Sequence, residues 1–402
     1  MKIAVIILDG AGDHPVPELG GRTPLEAAYI PHISFLAQRG TTFLVDAVFD
    51  DLPVGSIVAA IAILGLDPHR YFPNGRASFE AAASGIYVGP QDLAFRCNLI
   101  SVQDGRIHDF TAGLIDDAKA RSLVLAYPQP GGPIELFPGQ SYRNTLVYRN
   151  AGVAAKSFLC APPHEHRNQA INEHWIKART SDATPIVDEL NSFLRKSAEL
   201  IPRLSAEFGT QADMFWLWDP SDAPTMPSFR SVFGVRGAVV SGLSFLRGIG
   251  IAMQMLTAEV PGATGYLDSN LRGKVDAGMA FLDDVDVVVI HVNAADEEAH
   301  QRHVAGKVKA IELADAHVVG PVVQHLRSRF GDRFQVAVLP DHYTCVADGR
   351  HIVHPVPCAL YGKGIPTDDA MTFSEREIAA RGSGRLKGWE LLPMLQERHR
   401  NE

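Results

Sequence analysis

The chain has 402 residues, 46% of them hydrophobic and 21% charged, which is an ordinary globular balance and room for two or three domains of ~150 residues each. Its formal net charge of −9 argues against non-specific binding of nucleic acid, though not against a local basic pocket for a small anion. No apolar run approaches the ~20 residues of a membrane span, and the four cysteines, Cys97, Cys160, Cys345 and Cys358, show no C-x-x-C spacing, as expected of a reduced cytoplasmic protein.

Ala4 to Leu8 reads as a first strand rather than a signal peptide, because the apolar run is short and ends in Asp9-Gly10-Ala11-Gly12 without a small-residue cleavage pattern. Asp9 is therefore expected where a strand leaves its sheet. Between Glu18 and Arg39, two short helical stretches are split by Pro31, and Thr23 with Glu26 forms a capping-box pattern. Ser56 precedes the apolar run Ile57 to Leu64 and is expected as its N-cap. A helix N-terminus also binds phosphate and favours a serine alkoxide, which makes Ser56 a candidate nucleophile.

From about Ser78 to about Arg179 the chain is rich in glycine, proline and polar turns, with strand candidates at Leu93 to Val102 and Thr145 to Tyr148. This predicts a smaller α+β insertion, residues 78–179, inside a discontinuous domain of residues 1–77 and 180–402. His164-Glu165-His166 is expected in a solvated loop. The α/β rhythm resumes at Thr184, with a helix from Ile186 to Ile201, strands at Met214 to Trp218 and Gly237 to Val240, and a helix from Ser244 to Met255. A β-branched strand at Val287 to Val292 and a long helical zone from Val304 to Phe330 follow. The fold class is thus α/β, a mainly parallel sheet flanked by helices.

The chemistry concentrates at strand ends. Asp341-His342 follows the apolar run Val336 to Leu339, and ligands gather at that edge of open α/β sheets. Asp296 and His300, one helical turn apart, follow the Val287 strand. With Asp9, Ser56 and His351 these are more ligands than one ion needs, so two divalent ions are expected, of a borderline kind such as manganese or zinc rather than calcium. Two ions ~3.5–4 Å apart suit in-line displacement at phosphorus or sulfur, with Ser56 attacking.

The stretches ILDGAGDHPVPELGGRTPLEAA (7–28), GS…AILGLDP (55–68), GRASFEAAASGI (75–86), DLAFRCN (92–98), MPSFRSVFGVRGAVVSG (226–242), GATGYLDSN (262–270), DEEAH (296–300), PDHYT (340–344) and HPVP (354–357) resemble the archaeal-type cofactor-independent phosphoglycerate mutases of the alkaline phosphatase superfamily, nearly end to end. The resemblance implies one metal at Asp296, His300 and His351, and another at Asp9, Ser56, Asp341 and His342. Manganese is the first expectation, with zinc or magnesium as alternatives. It further implies a phosphoserine at Ser56, a small phosphorylated hydroxy acid as substrate, and the insertion acting as a lid.

Two features depart from that pattern. The mutases carry an acid and a histidine soon after the serine, where this chain has Ile57 and Ala60, and the arginines of the mutase lid are replaced around His108 to Leu114. PGQSYRNTLVY (138–148), APPHE (161–165) and FWLWDP (215–220) are similar to a sister branch, the proposed homoserine kinases, although no phosphate-binding G-x-x-x-x-G-K-[ST] loop is present. A kinase-like phosphotransferase, a phosphatase and a silent metal-binding regulator are therefore the alternatives to a mutase. Arg76, Arg96, Lys274 and Lys307 are the expected grips for a substrate anion, with Arg143 behind them, and Arg76 and Lys274 are expected to act in catalysis as well.

Overall fold

The computed structural model describes residues 1–400, with side chains through 396. It divides into two compact units, one formed by Met1–Phe72 together with the chain from Met226 onward, the other by Pro73–Thr225.

The first unit is built on an eight-stranded sheet, in the order Leu256–Ala258, Gly237–Val240, Val287–Val292, Lys2–Leu8, Phe334–Pro340, Val356–Gly362, Thr41–Asp46 and Arg385–Lys387. All neighbours pair in parallel except at Val356–Gly362, which runs antiparallel to both of its partners. The central strand KIAVIIL is buried from Ile3 to Leu8. Burial on both faces explains why it reads as a continuous apolar run instead of an alternating one. Ile6 stands opposite Ile290 on one side and Val338 on the other. This register brings the carboxyl ends of three neighbouring strands, at Leu8, Val292 and Pro340, to one edge.

Helices cover the sheet. The Thr23 and Glu26 capping box forms as expected and opens the short helix Pro24–Ala27. The zone 304–330 is continuous, with a π-helical stretch Asp315–Val319 between Val304–Ala314 and Gly320–Phe330. Asp315, fully buried there, accepts the free N–H groups of His32 and Ile33 at the start of Pro31–Gln38. None of the described helices is long and apolar enough to cross a membrane.

The inserted unit is larger than the expected 78–179. Its antiparallel sheet contains Leu93–Gln103, Arg106–Asp109, Ile134–Gln140 and Arg143–Tyr148, and Met214–Asp222 pairs with Leu93–Gln103. The helix Thr184–Phe208 buries Leu190, Phe193, Leu194 and Ile201 in the same core as Phe215 and Trp216. The stretch 180–225, expected in the parallel domain, thus belongs to the insertion. Its helix-then-strand texture resembles an α/β repeat, and only the antiparallel pairing distinguishes the two.

Candidate metal centre and nucleophile

Asp9 follows the central strand directly, and Gly10 turns the chain with φ of 62°. A Cβ at Gly10 would lie 2.5 Å from Asp296 Oδ1 and 2.6 Å from Thr344 Oγ1, so the backbone approaches the site where no side chain fits. The Gly10 N–H donates to Asp341 Oδ1 at 3.0 Å, which ties the first strand end to the third.

Ser56 is not the N-cap. Gly55 takes that position, no side chain caps the helix Ser56–Ile63, and Ser56 is its first helical residue. The hydroxyl is consequently free for other contacts. Ser56 Oγ donates to Asp9 Oδ1 at 3.2 Å and stands 3.1 Å from His342 Nε2. Ile57 and Ala60 follow on the same helix, Ala60 buried.

All seven residues expected as ligands meet in this unit. His300 Nε2 lies 3.2 Å from Asp296 Oδ2, His351 Nε2 lies 3.2 Å from Asp296 Oδ1, and the two imidazole nitrogens are 3.0 Å apart. His342 Nε2 is 3.3 Å from Asp9 Oδ1 and 3.6 Å from Asp341 Oδ2. His342 stands between the two expected groups, since its donor atom also falls within 4.8 Å of those of Asp296 and His351.

The proton positions decide what such an array is for. His300 Nδ1 is 2.8 Å from the Gly349 carbonyl and His351 Nδ1 is 3.1 Å from the Val54 carbonyl. A carbonyl oxygen only accepts, so both rings carry their proton on Nδ1 and turn Nε2 lone pairs toward each other and toward Asp296. Thr344 Oγ1 donates to Asp296 Oδ1 at 2.5 Å, so it accepts from His342 Nδ1 at 3.1 Å, leaving the His342 Nε2 lone pair facing Ser56 and Asp9. Second contacts of this kind fix metal-binding imidazoles in place. Donor spacings of 3.0–3.3 Å also match the edges of a coordination shell with bonds of about 2.1 Å. The residues therefore fit a divalent cation.

Without a cation, protons take its place. The hydrogen bond from Asp296 raises His300 to about 9. Burial pulls His342 down, but the charge of Asp341 and the bond to Asp9 outweigh it and raise the ring to about 10. Burial and the Asp296 charge push Asp9 up, while the neighbouring imidazoles of His291 and His342 bring it down to about 2. Asp341, buried beside Asp9, is raised to about 6.

A cation entering this site at neutral pH must displace imidazole protons, and fewer remain to be displaced as pH rises. Binding of Mn2+ to chelator-stripped protein should therefore release protons, with apparent affinity rising between about pH 6 and about pH 9. Calorimetry in buffers of different protonation enthalpy counts those protons. An affinity flat across that range would contradict the assignment.

The expected basic residues are placed differently. Arg76 and Arg96 lie in the inserted unit, where Arg76 Nε is 3.2 Å from Asp219 and Arg96 Nε is 2.9 Å from Glu80. Both guanidinium groups stack on Trp218, at 4.1 Å for Arg96 and 5.6 Å for Arg76. Arg143 stacks on Tyr142. Lys274 is fully buried, its Nζ 3.3 Å from the His291 carbonyl, and burial lowers its ammonium to about 8 against the opposing charge of Asp9.

Lys307 does not match its expected role. It is fully buried and its Nζ donates to the Gly12 carbonyl, Asp13 Oδ2 and the Thr344 carbonyl at 2.7–2.9 Å. With three donors so engaged it straps the loops after Asp9 and His342 together, and none is left for a substrate. His354 packs edge-on to His14 and against Tyr343. His164 and His166 lie in a turn-rich loop of the inserted unit, His164 exposed and His166 half-buried, as a loop reading predicts.

Sequence reasoning missed His291 and Thr344. His291 is hidden in a β-branched strand, and Thr344 has no sequence signal beyond its nearness to Asp341.

Comparison with known proteins places the chain in a family. The family model of 2,3-bisphosphoglycerate-independent phosphoglycerate mutase matches residues 37–205. The mutase of that name from Methanothrix thermoacetophila is 38% identical, covering 98% of this chain and 99% of its own, and one from Methanosarcina barkeri is 37% identical over 98% and 99%. Among solved structures, a Pyrococcus horikoshii protein aligns with a TM-score of 0.80 at 26% identity, covering 100% of this chain and 98% of its own. The cofactor-independent phosphoglycerate mutase from Thermoplasma acidophilum aligns with a TM-score of 0.67 at 26% identity, covering 99% of each chain. The chain belongs to the 2,3-bisphosphoglycerate-independent phosphoglycerate mutase family.

Proposed function

We propose that the chain catalyses metal-dependent phosphoryl transfer through a phosphoserine at Ser56, in a mutase cycle on a small phosphorylated hydroxy acid. The observation that carries this reading is the Ser56 hydroxyl, unused by its helix and held between Asp9 and His342. The names of the relatives support the reaction type. Two divalent ions are proposed, one at Asp296, His300 and His351, the other at Asp9, Ser56, Asp341 and His342. The mixed oxygen and imidazole donors favour manganese, with zinc or magnesium as alternatives. When bound, such ions lower the pKa of a coordinated hydroxyl and offset charge on the transferring phosphoryl group.

The chain's own groups supply the rest. Asp9 Oδ1 accepts the hydrogen bond of the Ser56 hydroxyl and orients Oγ toward phosphorus. A bond forms from Oγ to phosphorus, the P–O ester bond to the hydroxy acid breaks, and the freed oxygen takes up the proton that Ser56 gives up, leaving a free hydroxyl. Uncapped amides in the first turn of Ser56–Ile63 suit the phosphoryl oxygens. Return of the phosphoryl group to a neighbouring hydroxyl of the same acid restores the serine. Lys274 adds positive charge behind Asp9.

The test is phosphorus NMR of the manganese-loaded protein with 3-phosphoglycerate. Growth of the 2-phosphoglycerate signal supports the mutase, and release of inorganic phosphate indicates a phosphatase. Turnover of homoserine with ATP alone would replace the reading with a kinase-like one. Absence of Ser56-dependent chemistry across a panel of phosphorylated hydroxy acids would sink it.

A further inference from the structure

His291 lies in the strand Val287–Val292 opposite Ile7, and its side chain is 2% exposed. Its Nε2 is 3.2 Å from Asp9 Oδ2, yet it is out of line for a hydrogen bond and has no partner. A buried ring nitrogen without a partner is costly, and this one points among carboxylates. The donor atoms of Asp9, His291 and Asp341 all lie within 4.8 Å of one another, and all three residues are buried. On the other side of the ring, Nδ1 is 3.3 Å from Ser241 Oγ, which already accepts the Leu243 N–H at 3.0 Å and has a second lone pair for a ring N–H. This is the arrangement that holds His300, His351 and His342, in which an oxygen behind the ring secures Nδ1–H and frees Nε2.

We infer that His291 is a direct metal ligand, its Nε2 joining the carboxylates of Asp9 and Asp341 around the ion next to Ser56. The inference rests on the proposed metal centre and extends it by one imidazole. An ion here meets His291 and His342 as two nitrogen donors besides its oxygens. Imidazole suits manganese, cobalt or zinc, whereas magnesium keeps to oxygen donors and water. Magnesium is thus the least favoured of the proposed ions at this site, and His291 is a source of that discrimination. Ser241 is the positioning residue that sets the ring's tautomer.

The experiment is nitrogen NMR of 15N-histidine-labelled, chelator-stripped protein titrated with Zn2+, a diamagnetic probe, with His291→Asn used to assign the ring. The expected result is an Nδ1–H tautomer and a large shift of the His291 Nε2 resonance as zinc saturates. Elemental analysis of His291→Asn after gel filtration should show one ion retained and the other weakened by at least 10-fold, while the wild type retains both. Should His291→Asn fail to fold, Ser241→Ala assigns the ring by perturbing it alone.

If zinc binds with the His300, His342 and His351 signals shifting and His291 unmoved, His291 is a core histidine and the inference fails while the metal centre stands. If no histidine signal shifts, both fall. A magnesium affinity equal to that for manganese would also overturn the selectivity claim.

Discussion

Ser56→Ala should reduce phosphoryl transfer by a factor on the order of 10⁴ or more, as removal of a covalent nucleophile does, while leaving the fold intact. The second half of that expectation follows from the helix start. Ser56 caps nothing, so its loss forfeits no capping bond, and alanine is a better helix former than serine. A stability change within about 1 kcal/mol is expected. The metal site loses only one of its donors, so metal should still bind. Intact-mass spectrometry should detect a phosphoprotein in the wild type during turnover and none in the variant. Full metal content in both proteins, with no difference in activity on any phosphoester, would favour a silent metal-binding protein.

Lys307→Met should have the largest effect on stability. The ammonium is fully buried against Asp13, itself 3% exposed. Glu375, close by, accepts from the Asp13 N–H and the Thr23 hydroxyl, and burial raises its carboxyl to about 7. Methionine fills the volume but leaves the Asp13 carboxylate without its cation and the Thr344 carbonyl without the Lys307 donor, while the Gly12 carbonyl keeps only the Thr344 N–H. Breaking a buried pair from one side costs about 3–5 kcal/mol. Urea unfolding of the metal-free protein measures this loss. Adding Asp13→Asn to the variant should recover part of it, because the stranded charge is gone. A single variant as stable as wild type would mean that Lys307 is not what holds the two loops together.

Much of this candidate centre was legible because the residues proposed as ligands sit at sequence positions that advertise themselves. Asp9 and Asp341-His342 end apolar runs, and Asp296 with His300 has helical spacing, so strand and helix periodicity placed them without any tertiary information. What escaped detection depended on the third dimension. His291 occupies a strand interior, where a histidine between Ile290 and Val292 looks like any buried residue until Asp9 arrives beside it on the next strand. The role of Ser56 was half visible. The helix was evident, but a difference of one residue in where it begins decides whether the hydroxyl caps an amide or stays free. Lys307 looked like an anion grip because its charge was legible and its burial was not. The insertion's far boundary was misplaced because Thr184–Phe208 and Met214–Asp222 have the local signature of an α/β unit, and only pairing with Leu93–Gln103 assigns them elsewhere.

The position of Lys2–Leu8 between Val287–Val292 and Phe334–Pro340 also bears on how the chain is made. This central strand is synthesised well before either of its two neighbours. At about 5–20 residues per second, KIAVIIL waits on the order of tens of seconds for either partner. Throughout that interval it is an unpaired, strongly apolar edge of the kind that seeds aggregation. Translation rate and chaperone access therefore bear on the yield of this protein, separately from the stability of the finished sheet.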